Sequence, residues 1–127
     1  MNDNEGSVAV EFAAGLALLV LPVAVIVLML PTWLQTQQHA RDAARQGARL
    51  AVTSSAGSDE VADAVEEQLS RDGVATQNVH VTLTSTGAGV EVRFVMPVVH
   101  LPFLGEVGGF VTTARHAELF DPYRSQP

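Results

Sequence analysis

The sequence predicts an α+β protein in which a long N-terminal transmembrane helix continues into a small domain with one amphipathic helix and a three-stranded antiparallel sheet. Hydrophobic residues make up 47% of the 127-residue chain, but they are concentrated near its N-terminus instead of being spread over a soluble core. The middle of the chain has helical spacing, and the C-terminal part alternates apolar and polar residues as half-buried strands do.

Residues 7–30 are predicted to form the transmembrane helix, after a polar leader of residues 1–6. Residues 12–30 carry no charge, and at about 1.5 Å per residue they span roughly 28 Å, close to the hydrocarbon thickness of a bilayer. A secretory signal peptide would begin with basic residues and have a shorter apolar core. A buried core helix would need more apolar surface around it than the rest of the chain offers. We therefore expect a retained membrane helix, in which Pro22 is tolerated as a kink.

Residues 31–53 are predicted to continue the helix beyond the membrane, with two distinct faces. Pro31 is expected at a helix boundary or a bend, and Trp33 at the position of an interfacial aromatic anchor. Small residues on one face allow close helix packing: Ala40, Ala44, Gly47, Ala48 and Ala51. Arginines recur every fourth residue on the other face: Arg41, Arg45 and Arg49. They form either a solvated face that pairs with Asp42 and the acidic residues downstream, or a docking stripe for an acidic partner or lipid headgroups.

Residues 54–127 are predicted to form the small α+β domain, which begins with an amphipathic helix. Ser58 is expected to cap the N-terminus of this helix, and Gly73 is expected to stop it. The acidic residues of its first turn suit the positive end of the helix dipole. Its apolar side consists of Val61, Val65 and Leu69.

The strands of the domain are predicted from two segments with alternating polarity, NVHVTLTS and VEVRFVM, and the TGAG between them supplies the glycines of a hairpin turn. A loop containing PVVHLPFLGEVGG then leads to a third strand, FVTTARHAELF. Three strands and one helix make a domain of roughly 60 residues, which is marginal in size. The long helix is therefore expected to supply part of the core.

The residue types indicate no catalytic, metal or cofactor site. The chain has no cysteine, and His39, His80, His100 and His116 do not have the spacing of metal ligands. The glycine-containing segments match no phosphate-binding pattern. A formal net charge of −7 does not favour nucleic acid as a partner. We expect neither an enzyme nor a binder of a small-molecule substrate.

Glu11 is an ionisable residue just inside an otherwise apolar run. A carboxylate in a membrane helix costs about 2.5–3.5 kcal/mol at the bilayer centre and less near its edge, so it usually has a partner. The first basic side chain, Arg41, lies about 45 Å further along a continuous helix. A cut between Gly6 and Ser7 would create an ammonium group four residues before Glu11. That group could pair with the same Glu11 or with Glu11 of a neighbouring helix, where it would also set the axial offset between the helices.

These residues resemble a known family. Gly6 at the cut, Glu11 as the fifth residue after it, Phe12 next and a long apolar helix look like a type IV prepilin signal. More narrowly, the chain resembles TadE-like minor pseudopilins of the tight-adherence (Flp) pilus system in the segments GSVAVEFAAGLALLVLP and ARDAARQGARLA and in a C-terminal β-region ending in DPYR.

The resemblance implies a maturation step and a set of partners. A prepilin peptidase, an aspartyl protease of the membrane, would cut between Gly6 and Ser7. Glu11 and Phe12 would then serve assembly with other pilus subunits and the assembly machinery. The mature protein would stay in the membrane lipid or enter a surface pilus as a low-abundance subunit, and the downstream process would be adhesion, surface attachment or secretion.

The charges around the predicted span conflict with this topology. The leader has no Lys or Arg, whereas Arg41, Arg45 and Arg49 follow the span. The positive-inside rule therefore places the C-terminal domain in the cytoplasm, and the prepilin hypothesis requires the reverse. We give the cleavage motif more weight and expect a single-pass protein of the cell membrane whose domain lies outside the cytoplasm. The alternative is an uncleaved single-pass anchor with a cytoplasmic adaptor or binding domain.

Overall fold

The longest element is a single helix that contains both the predicted membrane span and its continuation. The computed structural model describes residues 3–101 and 104–120, with side chains from residue 6 onward. Helix α1 runs Asp3–Ser54, about 78 Å at the usual rise per residue. Pro22 and Pro31 both lie inside it, so of the two alternatives for Pro31, a helix boundary or a bend, the boundary is wrong. The DPYR segment lies outside the described residues.

Helix α2 runs Ser58–Arg71 and is followed by a glycine stop. Gly57 is its N-cap residue and makes no side-chain cap bond, so Ser58 is the first helical residue and the prediction that Ser58 caps the helix is wrong. Gly73 has a φ of 73°, and the amide of the next residue donates to the Leu69 carbonyl at 2.9 Å. This is the Schellman arrangement, in which a residue without a Cβ adopts the left-handed conformation.

Within the described residues, five strands follow the two helices: β1 (Ala75–Leu83), β2 (Gly87–Val95), β3 (Val99–Leu101), β4 (Gly105–Val107) and β5 (Val111–Leu119). The first, second and fifth form a three-stranded sheet in the order β1-β2-β5, and both pairings are antiparallel. Because β2 lies in the middle, it carries most of the buried side chains of the sheet.

The turn between β1 and β2 lies earlier than the glycine pattern predicts. It consists of residues 84–86, and the Thr84 hydroxyl accepts a hydrogen bond from the Gly87 amide at 3.1 Å. Gly87 already belongs to β2, where a Cβ atom would collide with the carbonyl oxygen of Glu118. The prediction that TGAG forms the turn is therefore wrong, since this glycine serves the close approach of two strands.

The segment predicted as a loop before the third strand contains a short hairpin of β3 and β4. Val99 and Leu101 are buried, whereas His100 between them is exposed and lies 3.3 Å from a Glu106 carboxylate oxygen. Strands of three residues are too short for their alternation to stand out in the sequence. The hairpin was missed for that reason.

The core lies between the sheet and the two helices. α1 packs on β2 and β5, and α2 packs on β1 and on α1. The largest fully buried side chains come from α2 and β2: Phe94, Leu69, Val61, Val65, Val90 and Val92. The long helix contributes small residues to this core: Ala40, Ala43, Ala44, Ala48 and Ala51. The predicted fold class is thus confirmed, including the contribution of the long helix to the core.

Candidate functional site

The first half of α1 is an uncovered apolar surface. None of its most apolar window of 18 residues is buried, and Phe12 and Leu28 are 73% and 75% exposed. By length and composition, this is a helix able to cross a membrane. An apolar surface of this size on a folded chain marks contact with a membrane or with other protein chains.

The predicted cleavage and assembly residues lie together at the start of this uncovered half. Gly6, Ser7, Glu11 and Phe12 are all exposed on α1. A Cβ atom placed on Gly6 would meet nothing within 4 Å. Because Glu11 is one helical turn after Ser7, an ammonium group on Ser7 would lie on the same face of the helix.

The small residues of the second half of α1 are buried in the protein's own core. Ala40, Ala44 and Ala48 have no exposed surface, and a Cβ atom on Gly47 would lie 2.5 Å from Cγ2 of Val65. The close packing made possible by these residues therefore joins α1 to α2 and the sheet of the same chain. In this fold the face is closed to another subunit, so Ala44→Leu would disturb folding before it could disturb assembly.

The three arginines lie outside this contact, on the exposed side of α1. Arg49 lies beside β5, with its Nε atom 4.0 Å from Oε1 of Glu118. Among the ion pairs of the described side chains, Arg41 and Arg45 take no part. The partner of Arg49 is therefore on the third strand of the sheet, and neither Asp42 nor an acidic residue of α2 fills that place.

The carboxylate of Glu118 on β5 lies near both Arg49 of α1 and His116 of its own strand. Nε2 of His116 lies 2.8 Å from Oε2 of Glu118, at hydrogen-bond distance. This hydrogen bond, together with the charges of His116, Arg49 and Arg45, lowers the pKa of the Glu118 carboxyl below its ordinary value, while burial opposes the shift. Sequence inspection missed this cluster because its members lie on two elements that meet only in the folded chain.

Trp33 joins α1 to the loop that leaves β2. Its indole N–H donates to the Pro97 carbonyl oxygen at 3.0 Å, and its ring stands edge-on to Phe110 with 6.3 Å between the centroids. The side chain is half-buried. The residue expected as an interfacial anchor thus also fixes one end of the domain to the helix.

Three of the four histidines each lie near one carboxylate, and among the ion pairs of the described side chains His80 takes no part. His39 lies 3.6 Å from Asp72 at the end of α2, and the pairs of His100 and His116 are described above. Within residues 3–101 and 104–120, no group of three or more side chains could hold a metal ion.

The sheet face opposite the helices carries a shallow open depression. Gly89 and Ala117 contribute its small residues, and His80, Glu91 and Arg115 are among its polar ones. Glu91 and Arg115 lie opposite each other on neighbouring strands and form an ion pair of 2.8 Å. Such a cross-strand pair stabilises the sheet.

Comparisons with protein-family models, with curated proteins and with solved structures found no match. Function is therefore inferred from the residues and geometry of this chain.

Proposed function

We propose that the protein is a minor pseudopilin-like membrane protein that assembles or primes a tight-adherence type IV pilus and is matured by a prepilin peptidase. The main support is the division of α1 into two halves. The first half is uncovered and begins with Gly6, Ser7 and Glu11, whereas the second half carries a folded domain. In this role the protein is a peptidase substrate and a structural subunit with no catalytic role of its own.

A subunit of this kind needs a helix that is stable in two surroundings. Before assembly the apolar half of α1 would lie in the bilayer, with its backbone hydrogen bonds satisfied inside the helix. On assembly the same side chains would pack against helices of other subunits. The domain would not need to refold in either case, because its core uses the other half of α1.

Glu11 supports this proposal because a carboxylate in a membrane helix needs a positively charged partner. No described basic side chain precedes it, and α1 carries it about 45 Å away from Arg41. Removal of residues 1–6 would place a new ammonium group one helical turn away. An intermolecular pair between Ser7 of one subunit and Glu11 of its neighbour would then set the register of the assembly.

The rival function is an uncleaved anchor with a cytoplasmic adaptor or binding domain. It is favoured by the exposed Arg41 and Arg45, since basic residues beside a membrane span tend to stay in the cytoplasm. Under this hypothesis Gly6 is an ordinary helix residue, and Glu11 lies at the headgroup boundary.

The intact mass of the protein, isolated from its native membrane with and without the prepilin peptidase, tests the proposal. We expect a species beginning at Ser7 only when the peptidase is present. Gly6→Leu should retain the leader, whereas Gly15→Leu, a matched change further along the same exposed helix, should be processed normally. A full-length chain in both strains would support the uncleaved anchor instead.

Assembly is tested separately with Glu11→Ala. We expect this variant to be cleaved, to reach the membrane and to reduce piliation, because the partner of the Ser7 ammonium group is lost. Glu66→Ala, at an exposed position of α2, serves as the control and should leave piliation unchanged. Normal pili in Glu11→Ala would contradict the assembly role of Glu11.

A further inference from the structure

We propose that the end of the domain that carries the β3–β4 hairpin rests in the interfacial layer of the same bilayer that α1 crosses. The inference rests on the membrane anchoring contained in the proposed function, and it adds a second lipid contact made by the domain itself. The contact surface, which we name the hairpin patch, consists of Val98, Leu104, Phe110 and Val111.

The hairpin patch is apolar and exposed. Leu104 is 65% exposed and lies between β3 and β4, and Val98 and Phe110 are each about half exposed. Val98 follows β2 and Val111 begins β5, so both lie at one end of the three-stranded sheet, and Leu104 lies in the hairpin between them along the chain. Large exposed apolar side chains gathered at one end of a small domain indicate a contact with lipid or protein.

The path of β2 along α1 shows which end of the domain this is. Near its start, Val90 lies beside Gly47 of α1. Beyond its end, Pro97 accepts the hydrogen bond from Trp33. The strand therefore runs toward the apolar half of α1, and β3, which follows, contacts α1 as well.

The distance along α1 places this end at the depth of the lipid headgroups. Trp33 lies three residues after Leu30, the last residue of the predicted membrane span, or about 4.5 Å along the helix. The interfacial layer is about 5–8 Å thick on each side of the hydrocarbon core. Phe110, whose ring meets that of Trp33, therefore falls within or next to this layer.

The chemistry of the patch fits this layer better than it fits water. Aromatic residues are enriched at headgroup depth, and Trp33 and Phe110 supply two of them in contact. His100 and Glu106 give the hairpin an exposed polar pair, which the headgroups and their water can solvate. The buried residues of β3 are already covered, so the patch would bind lipid without any refolding of the hairpin.

Depth-dependent quenching in liposomes of phosphatidylcholine and phosphatidylglycerol tests the proposal on the full chain. The protein has no cysteine, so one environment-sensitive fluorophore can be attached at each of three exposed positions. Leu104→Cys reports on the patch and Val20→Cys on the anchor. Leu119→Cys is the control, since Leu119 is 75% exposed but lies at the far end of β5, about 27 Å from Val111.

Lipids with a quencher near the headgroup should quench the label at Leu104 at least half as strongly as they quench the most strongly quenched of the three labels. They should leave the label at Leu119 unaffected. Lipids with a quencher deep in the acyl chains should quench the label at Val20 most. Val98→Cys repeats the patch measurement at a second exposed position. Unchanged emission of Trp33, the only tryptophan, verifies that each variant keeps its fold around the Trp33 contacts.

The other outcomes separate the two proposals. Quenching at Val20 with none at Leu104 and Val98 would overturn the hairpin contact and leave the anchor intact. The label at Leu104 could instead become more shielded as the protein density in the membrane rises, without being quenched by either lipid quencher. That result would assign the patch to a neighbouring subunit and would also overturn the hairpin contact. Equal quenching at Leu104 and Leu119 would show that the domain has no preferred orientation on the bilayer and would overturn the hairpin contact. Absence of quenching at Val20 would overturn the membrane anchor, and the hairpin contact with it.

Discussion

The two halves of α1 have the same backbone conformation, but they differ in which side chains are buried. In the first half large side chains such as Phe12 and Leu28 are exposed, whereas in the second half Ala44 and Ala48 are fully buried. Large apolar residues are normally the buried ones. Here the folding of the domain uses the half with small residues, which lets α2 and the sheet approach closely. The more hydrophobic half is left for surroundings outside the chain.

The largest expected difference, between the folded domain and the uncovered half of α1, concerns two phenylalanines. Phe94 is fully buried in β2, and Phe12 is 73% exposed on α1. Phe94→Ala should lower the free energy of unfolding of the domain by about 3–5 kcal/mol, because it removes buried surface and leaves a cavity. Urea titration in detergent micelles, followed by circular dichroism of the sheet, measures this change.

Phe12→Ala is the matched control for Phe94→Ala and should leave the unfolding of the domain unchanged. A similar loss of stability in both variants would mean that the domain depends on the uncovered half of α1. The division of the helix into two halves would then be wrong.

A smaller difference is expected between two glycines of α1. A Cβ atom on Gly47 would press on Val65, whereas one on Gly15 would meet nothing within 4 Å. Gly47→Ala should cost about 1–3 kcal/mol through overpacking, offset in part by up to about 1 kcal/mol of helix propensity. Gly15→Ala should not destabilise the domain. Equal stability of the two variants in the same urea titration would show that α1 and α2 do not need the glycine contact.

The smallest expected effect concerns the carboxylate of Glu118 on β5, which is hydrogen-bonded to His116 of the same strand and lies 4.0 Å from Arg49 in the covered half of α1. The folded-state pKa of Glu118 lies below its ordinary value of 4.5, so the folded state binds fewer protons than the unfolded state. The contribution of this carboxylate is therefore complete above its ordinary pKa and is lost as the pH falls through the lowered folded-state pKa. We expect a higher urea midpoint for the wild type than for Glu118→Gln near pH 7, and a difference that shrinks on acidification below 4.5.

Glu66→Gln, at an exposed position of α2, controls for general effects of acid in the same titration. A constant difference between the wild type and Glu118→Gln across the acidic range would contradict a stabilising charge on the Glu118 carboxylate.

Much of the fold could be predicted from local patterns. Three local patterns each identified an element: the apolar run of residues 12–30, the spacing of Val61, Val65 and Leu69, and the alternation around Phe94. The last two do so because the periodicity of an element depends on which of its faces is buried. The hairpin of β3 and β4 was missed because a strand of three residues has too short a pattern. The start of α2 was misassigned by one residue because Ser58 is a frequent cap type and Gly57 is a weaker signal for the same position.

The candidate site divides in the same way. The sequence alone identified the apolar span, the Gly6–Ser7 junction proposed for cleavage and the distance of Glu11 from basic residues, since these depend only on residue types and distances along one helix. Tertiary structure decided that the stripe around Ala44 is closed by the protein's own core, that Arg49 meets Glu118, and that Trp33 holds the end of the domain with the hairpin patch. These contacts join residues far apart in the chain, and their formation depends on how the sheet packs across α1, which no local pattern records.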